Sequence, residues 1–440
     1  MRRVEMADRR ARTVAAVAAL GALALLSGCT SGGGRGQASS GSPGQGGLTG
    51  SAPTARPTGT GSRPSSRVEP AVINTVPAAG VAVINPAKPV SLSIAHGTLT
   101  QVTMTSSTST NVRGVLAADG SSWRTSEDLG YAKTYKIVAI GVDDAGAAVV
   151  KRVSMTTLAP QNLTRPYLQR IGGYALPSGS TFGVGIVPVV HFDERITDKA
   201  AAEKALTVTT TPRVAGSWYW ADDQNVHWRP QSYWPSGTHV TVAANVYGVQ
   251  VGQGLYGQSD VSASFTIGRQ QITIAEDNAP NAVNKVRVYR AGHLVRTMNT
   301  SMGQHRGETV NGNYIDFHTM NGTYTVLEHD DPAIMSSASY GLPADAPGGY
   351  APEAIYYATK ISTDGIYLHY LNTIQAQDSG QDVSHGCLNL NHPNAVWFYN
   401  NSVIGDPVQI SHTQGPTITI NQGGDWSVPW TTWLKGSALH

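Results

Sequence analysis

From about residue 67 to 158 apolar and polar residues alternate in short bursts, such as Val90-Ser91-Leu92-Ser93-Ile94 and Tyr135-Lys136-Ile137-Val138-Ala139-Ile140. Asp143-Asp144-Ala145-Gly146 separates two bursts as a hairpin turn does, and Val149 to Met155 resumes the alternation. This period of two predicts a small all-β sandwich. A second β-rich unit runs from about residue 165 to 267, with strands expected over Thr181 to Phe192 and Thr238 to Tyr247. Between them Asp198 to Leu206, rich in Ala with Glu203 and Lys204, reads as one short helix. Trp218, Trp220, Trp228 and Trp234 cluster in this unit, where they fill a core and its corners or form a carbohydrate platform. From about Gln270 the texture changes, and Ile272-Thr273-Ile274 with Lys285-Val286-Arg287-Val288-Tyr289 predicts the opening strand pair of a third unit.

The N-terminus follows different rules. Arg2, Arg3, Arg9, Arg10 and Arg12 precede Val14 to Leu26, a run without a polar side chain. It is too short for a comfortable membrane span and has the profile of a signal peptide. Ser27 and Gly28 ahead of Cys29 resemble a bacterial lipobox, which implies cleavage of residues 1–28 and lipid attachment to Cys29. Residues 29–67 are mostly Gly, Ser, Thr, Pro and Ala, with Leu48 as the single large aliphatic side chain. Such a segment buries too little apolar surface to offset its ordering entropy and is expected to be a tether, reaching roughly 30–35 Å.

Charged residues make up only 14% of the 440-residue chain and the net charge is +2, so no nucleic-acid partner is expected. The roughly 370 residues beyond the tether exceed what one hydrophobic core supports, which calls for two or three domains. Cysteine use is sharper, because the chain has two cysteines. If Cys29 carries lipid, Cys387 has no intramolecular partner, and a free thiol kept outside the cell is either buried and neglected or kept for its reactivity.

Cys387 lies in Ser384-His385-Gly386-Cys387-Leu388-Asn389, preceded after fourteen intervening residues by His369. An ordinary thiol is only a few per cent ionised at neutral pH, so a working one needs a base or a cation beside it. Both histidines are candidates. His385 shares a face with Cys387 if the segment is extended, or it is simply packed and orders the turn. His369 ends the β-like run Gly365-Ile366-Tyr367-Leu368 and can be presented from a neighbouring strand, which makes it the better base. Gly386 permits close backbone approach and suits an oxyanion hole built from the main-chain N–H groups of Gly386 and Cys387. A zinc site of His369, His385, Cys387 and His392 finds no support in CxxC or HExxH spacing, and no metal or other cofactor is expected.

The spacing His369-x(14)-Ser384-His385-Gly386-Cys387-Leu388-Asn389 resembles the signature of the L,D-transpeptidases, cysteine acyltransferases that cross-link peptidoglycan. The stretches around Val190 to Ile196, Trp228-Arg229-Pro230 and Tyr233 to Thr238 resemble the immunoglobulin-like spacers found ahead of actinobacterial wall enzymes. The resemblance implies a mainly β chain: immunoglobulin-like domains at residues 68–164 and 165–268, a catalytic β-sandwich domain at 269–412, and a Trp-rich C-terminal extension at 413–440 that packs back on the catalytic domain. It also implies a lid over the donor site, with Met335, Tyr340 and Tyr350 as contacts. Ser384 and Asn389 join them as candidate donor-site residues, Ser384 being better placed to order the loop and Asn389 to bind the stem or cap the turn. Two departures stand out, Tyr370 after the base where relatives carry a small residue, and Thr373 where they carry Trp. The family uses a backbone carbonyl near residue 370 to orient the imidazole, a role that any residue preserves.

The implied partners are two peptidoglycan stems, a donor tetrapeptide and an acceptor, with carbapenem β-lactams as inhibitors and the outer face of the cell membrane as the anchoring surface. Cys387 attacks the carbonyl of the third stem residue, a diamino acid, and releases D-Ala. An amine of the acceptor then resolves the thioester into a cross-link between third residues. The competing reading is a non-catalytic wall-binding lipoprotein, which leaves the two histidines unexplained. A papain-like peptidase is disfavoured because its nucleophile normally precedes its histidine.

Overall fold

The computed structural model describes residues 69–81, 83–278 and 282–439. Cys29, the signal peptide and the tether therefore lie outside the described residues. No described helix is long and apolar enough to cross a membrane.

The first unit pairs a four-stranded sheet, ordered Val72–Val76, Ser91–Ala95, Ser122–Thr125, Gly114–Leu116, with three antiparallel strands, Gly97–Ser106, Thr134–Asp143 and Ala148–Thr156. Alternation does what its period requires. In Thr134–Asp143 the residues Tyr135, Ile137 and Ala139 are buried with Leu92, Leu99, Met104 and Trp123. The expected hairpin turn at Asp143 to Gly146 is present, with Asp143 Oδ1 accepting from the N–H groups of Ala145 and Ala147.

The second unit stacks a five-stranded sheet, whose inner strands include Pro188–Phe192 and Asn225–Pro230, against a four-stranded sheet containing Leu206–Thr211, His239–Ala244 and Val261–Ile267. The short helix forms at Lys199–Lys204, and Asp198 caps it by accepting from the Ala201 N–H at 2.9 Å. Trp218, Trp220, Trp228 and Trp234 are all at most 8% exposed, so they fill the core and offer no carbohydrate platform.

The third unit is built on a five-stranded sheet in the order His293–Thr300, Asn284–Arg290, Gln271–Glu276, Pro407–Ser411, Gly322–Thr325. The expected opening pair is its centre, with Ile272 opposite Tyr289 and Ile274 opposite Arg287. A second sheet, Glu328–Asp330, Ala358–Lys360, Tyr367–Tyr370, Leu388–Leu390, packs on it through Leu368, Leu388, Leu390, Val408 and Ile410. Helix His392–Asn401, capped by Asn391, closes this core with Ala395 and Phe398.

The C-terminal extension departs from expectation. It starts on the catalytic unit, where the Thr323 N–H donates to Ser427 Oγ at 2.7 Å, but most of its buried groups lie on the second sandwich. Trp426 Nε1 donates to Gly185 O at 2.7 Å, and Asp425, fully buried, pairs with His227 at 2.6 Å. Trp433 is fully buried, stacks on Tyr219 at 4.8 Å and donates to Ser217 O at 3.0 Å. The Arg229 guanidinium is enclosed by the rings of Trp426, Trp430 and Trp433 at 4.8, 5.3 and 4.3 Å, and burial pushes its pKa down to about 10. The physical reason lies in one strand: Arg229 and His227, two residues apart on the same face, offer a cation and an imidazole that the tail meets with its rings, the Val428 carbonyl and the Asp425 carboxylate.

Replacing Trp433 by Ala removes a ring with no exposed surface and should cost about 3–5 kcal/mol of stability in urea unfolding. An unchanged midpoint would show that the extension is not structural.

Candidate active site

Strand Tyr367–Tyr370 pairs in parallel with Leu388–Leu390, with His369 opposite Asn389. Parallel neighbours cannot be joined by a tight turn, so the chain must make a crossover of a dozen or more residues. The fourteen residues between His369 and Ser384 supply it, using the short helix Ile374–Ser379. Continuing the ladder one step places Cys387 beside Tyr367, two positions from His369 and on the same face. Such diagonal neighbours have Cβ atoms roughly 7–8 Å apart, within reach of an imidazole and a sulfur.

His369 is 4% exposed, and its Nδ1 lies 3.0 Å from Tyr370 O. A carbonyl only accepts, so Nδ1 carries the hydrogen and Nε2 keeps its lone pair. The substitution of Tyr at 370 is thus harmless, since the main chain supplies the contact. Burial pushes the His369 pKa down to about 4.

The Cys387 thiol directs its hydrogen at Gly365 O, 3.7 Å away. Burial pushes its pKa up to about 11; the Tyr367 N–H works in the opposite direction, and the Asp364 carboxylate adds to the rise. Of the two aids expected for the thiol, a base or a cation, the site offers the base, and the resting pair is neutral thiol with neutral imidazole.

Gly386 sits at φ +127°, a conformation closed to L side chains, although a Cβ there would find ordinary space, its nearest neighbour being Ile366 at 3.7 Å. Its glycine is therefore a matter of backbone torsion. Gly386 O accepts from Thr319 Oγ1 at 2.8 Å, and Thr319 in turn accepts from the Gly303 N–H at 2.9 Å. Thr319, fully buried, is a positioning residue that nothing in its neighbourhood of the sequence signals.

Two expectations are corrected here. The Gly386 N–H donates to Ser384 Oγ at 3.1 Å, so it is spent and leaves the Cys387 N–H as the main-chain donor of the expected pair. Ser384 Oγ also donates to Cys387 O at 2.7 Å, which ties both its roles to the turn and removes it from substrate binding. Asn389, by contrast, is 1% exposed with both amide atoms unpaired, so it does not cap the turn.

His385 packs edge-on against Phe317 at 4.4 Å and lies 5.6 and 6.1 Å from the rings of Tyr350 and Tyr340. Burial lowers its pKa, and its Nε2 is buried without a partner. Tyr340 and Tyr350 come from the segment between the paired strands Ala333–Met335 and Glu353–Ile355. Ser337 staples that segment, donating to Tyr350 O at 2.9 Å and accepting from the Tyr350 N–H at 2.8 Å. Both phenols are raised in pKa chiefly by burial, and a thiolate at Cys387 would raise them further. Met335 packs with Ala333, Ile355, Ala358 and Tyr367, one shell away. His392 is boxed by Tyr357 and Tyr370. Among the described residues, ligand atoms converge at metal-like distances in Asp277, His305 and Asp382, outside the motif.

Residues 81–250 match the bacterial Ig domain family, and residues 280–410 match the L,D-transpeptidase catalytic domain family. L,D-transpeptidase 2 of Mycobacterium tuberculosis (strain CDC 1551 / Oshkosh) is 39% identical over 352 residues, 80% of this chain and 81% of that protein. L,D-transpeptidase 5 of Mycobacterium tuberculosis (strain ATCC 25618 / H37Rv) is 33% identical over 371 residues, 82% and 76% of the two chains. A solved L,D-transpeptidase in complex with imipenem is 26% identical, covers 56% of this chain and 99% of its own, and superposes with a TM-score of 0.44. An Ig-like region followed by a catalytic domain, aligned along most of the length of both mycobacterial relatives, establishes that this chain belongs to the L,D-transpeptidase family.

Proposed function

We propose that the protein is a peptidoglycan cross-linking enzyme in which Cys387 is the nucleophile and His369 its general base. The supporting observation is the parallel ladder that sets an imidazole with a free Nε2 lone pair beside the sulfur. Cys387 Sγ attacks the carbonyl of the third residue of a donor tetrapeptide while its proton passes to His369 Nε2. The tetrahedral oxyanion takes hydrogen bonds from the Cys387 N–H and the Tyr350 hydroxyl. Collapse breaks the peptide bond to D-Ala, whose amine leaves with the proton from His369. An acceptor amine then attacks the thioester and gives its proton to His369, and the returning thiolate recovers it, leaving a cross-link between third residues.

Each pKa unit is worth about 1.4 kcal/mol, so with the thiol near 11 and the imidazole near 4, forming thiolate ahead of attack is steeply uphill. Proton transfer therefore accompanies C–S bond formation, or substrate binding first narrows the gap. His385 braces the aromatic wall of Tyr340, Tyr350 and Phe317, and the unpaired amide of Asn389, closed to solvent here, meets a donor stem only when the residues covering it move. Lipid attachment at Cys29, the tether and an address on the outer face of the cell membrane complete the reading. They rest on the N-terminal sequence.

A carbapenem presents a strained amide to the same nucleophile. Intact-mass measurement should find one adduct per chain, absent in Cys387→Ala and formed about 10²–10⁴ times more slowly in His369→Ala. An adduct on Cys387→Ala counts against this assignment.

In the free enzyme, alkylation of Cys387 by iodoacetamide should climb about tenfold per pH unit from 7 towards 11, because the thiolate fraction does. A rate that is already level at pH 7 would mean a preformed thiolate–imidazolium pair.

A further inference from the structure

The hairpin that carries Gly365 places one uncompensated charge beside the nucleophile. Strands Ala358–Lys360 and Tyr367–Tyr370 are joined through Ser362, Thr363, Asp364 and Gly365, and Gly365 O is the group the thiol contacts. Ser362 is fully buried and holds the turn by accepting from the Ile366 N–H at 2.8 Å. The tip is pinned from the other side by the C-terminal extension: the Thr363 N–H donates to Gln422 O and Thr363 Oγ1 donates to Asn421 O. Asp364 projects to solvent with each oxygen taking one neutral hydrogen bond, from Ser362 Oγ at 2.5 Å and from Gln422 Nε2 at 2.7 Å.

Those bonds fix the carboxylate without neutralising it. No Lys, Arg or His among the described residues lies within ion-pair distance of Asp364. The other groups around the sulfur are the phenols of Tyr340, Tyr350 and Tyr367 and the neutral rings of His369 and His385; Lys360 lies over the Tyr367 ring at 5.9 Å, where that phenol also faces Asp330 and Glu328. Glu353 stands beyond Tyr350, and Arg306, which lies over Phe317 behind His385, is itself paired with Glu308. A fixed anion in this place opposes formation of the thiolate, which is a disadvantage to a nucleophile unless a cation arrives with the substrate.

We infer that Asp364 is a specificity-determining residue that binds the side-chain ammonium of the donor's third residue. The inference rests on the transpeptidase reading above. The carbonyl under attack and the ammonium belong to the same diamino acid, so a stem seated with that carbonyl at Cys387 carries its own cation to the neighbouring hairpin tip. The ion pair then has two consequences. It fixes the donor in register, and it cancels the carboxylate's share of what holds the proton on sulfur, the larger share being burial, so that the correct donor eases ionisation of the thiol attacking it. Both oxygens retain a free lone pair for the ammonium, and Gln422 couples this grip to the extension.

The experiment uses the protein with a D-amino acid as fixed acceptor and measures D-Ala release from two tetrapeptide donors, one with the side-chain amine free and one with it acetylated. Asp364→Asn, which keeps the shape but turns one accepting oxygen into an NH2 donor, should lower kcat/KM for the free-amine donor roughly 10- to 100-fold, as loss of a charge-assisted hydrogen bond does. It should cause no loss with the acetylated donor, whose turnover holds or rises because the opposing charge is gone, and for the same reason it should speed iodoacetamide alkylation at pH 7. An equal loss on both donors would make Asp364 a support of the hairpin only, and no loss on either would place the amine elsewhere; each overturns the inference. A wild-type protein that releases D-Ala from neither donor removes the transpeptidase reading itself and the inference with it.

Discussion

The parallel pairing of Tyr367–Tyr370 with Leu388–Leu390 is the constraint on which the site depends. Each strand is short, and neither holds chemistry alone. Side by side they bring His369 and Cys387 from one crossover to one face of a sheet, with Leu368, Leu388 and Leu390 buried on the other face. Any slip of one residue in this register would send the imidazole into the core. The turn before Cys387 is fastened correspondingly well, by Ser384 at both its ends, by Thr319 on Gly386 O, and by Ser384 N–H on Met302 O at 3.0 Å.

Electrostatically the site is a store of potential rather than a charged centre. Low polarity around His369 and Cys387 holds both neutral, and the phenols of Tyr340, Tyr350 and Tyr367 are pushed towards their protonated forms as well. A neutral thiol is inert towards water-borne oxidants and stray electrophiles. Donor binding and C–S bond formation are then the events that release it. This arrangement suits a thiol that has no partner cysteine among the described residues.

The extension gives the catalytic unit and the second sandwich a shared set of buried groups. Arg229 has only the Pro230 carbonyl within its own sheet, and it and His227 find their main partners in the rings of Trp426, Trp430 and Trp433 and in Asp425. Close backbone approach reinforces the junction: a Cβ on Gly183 would meet Asp406 N at 2.4 Å, and the Gly185 N–H donates to Gly405 O at 2.8 Å. The same extension reaches the hairpin beside Cys387 through Gln422, so the sandwich, the tail and the site share one mechanical path.

Period-two alternation located most of the strands, because a side chain's face depends only on its parity within the strand; the run expected over Thr181 to Phe192 instead breaks into Thr181–Phe182 and Pro188–Phe192, where the N–H groups of Gly183 and Gly185 donate to Ile404 O and Gly405 O. The short helix at Lys199–Lys204 and the opening pair of the catalytic unit were legible for the same local reason. Motif spacing determined which cysteine and histidines matter. It could not determine that the Gly386 N–H is consumed by Ser384, that His385 turns to Phe317, or that Thr319 and Asp364 belong to the site, since those facts depend on strands far apart in the chain meeting at hydrogen-bond range. The tail misled for a related reason: its tryptophans announce burial, but their partners are a cation and an imidazole some two hundred residues earlier. The chain by itself thus determined element type, core faces and the chemistry on offer, which are properties of near neighbours. Protonation state, hydrogen-bond allegiance and the tail's docking face were decided only by tertiary structure, because each depends on which distant groups share a volume closed to water.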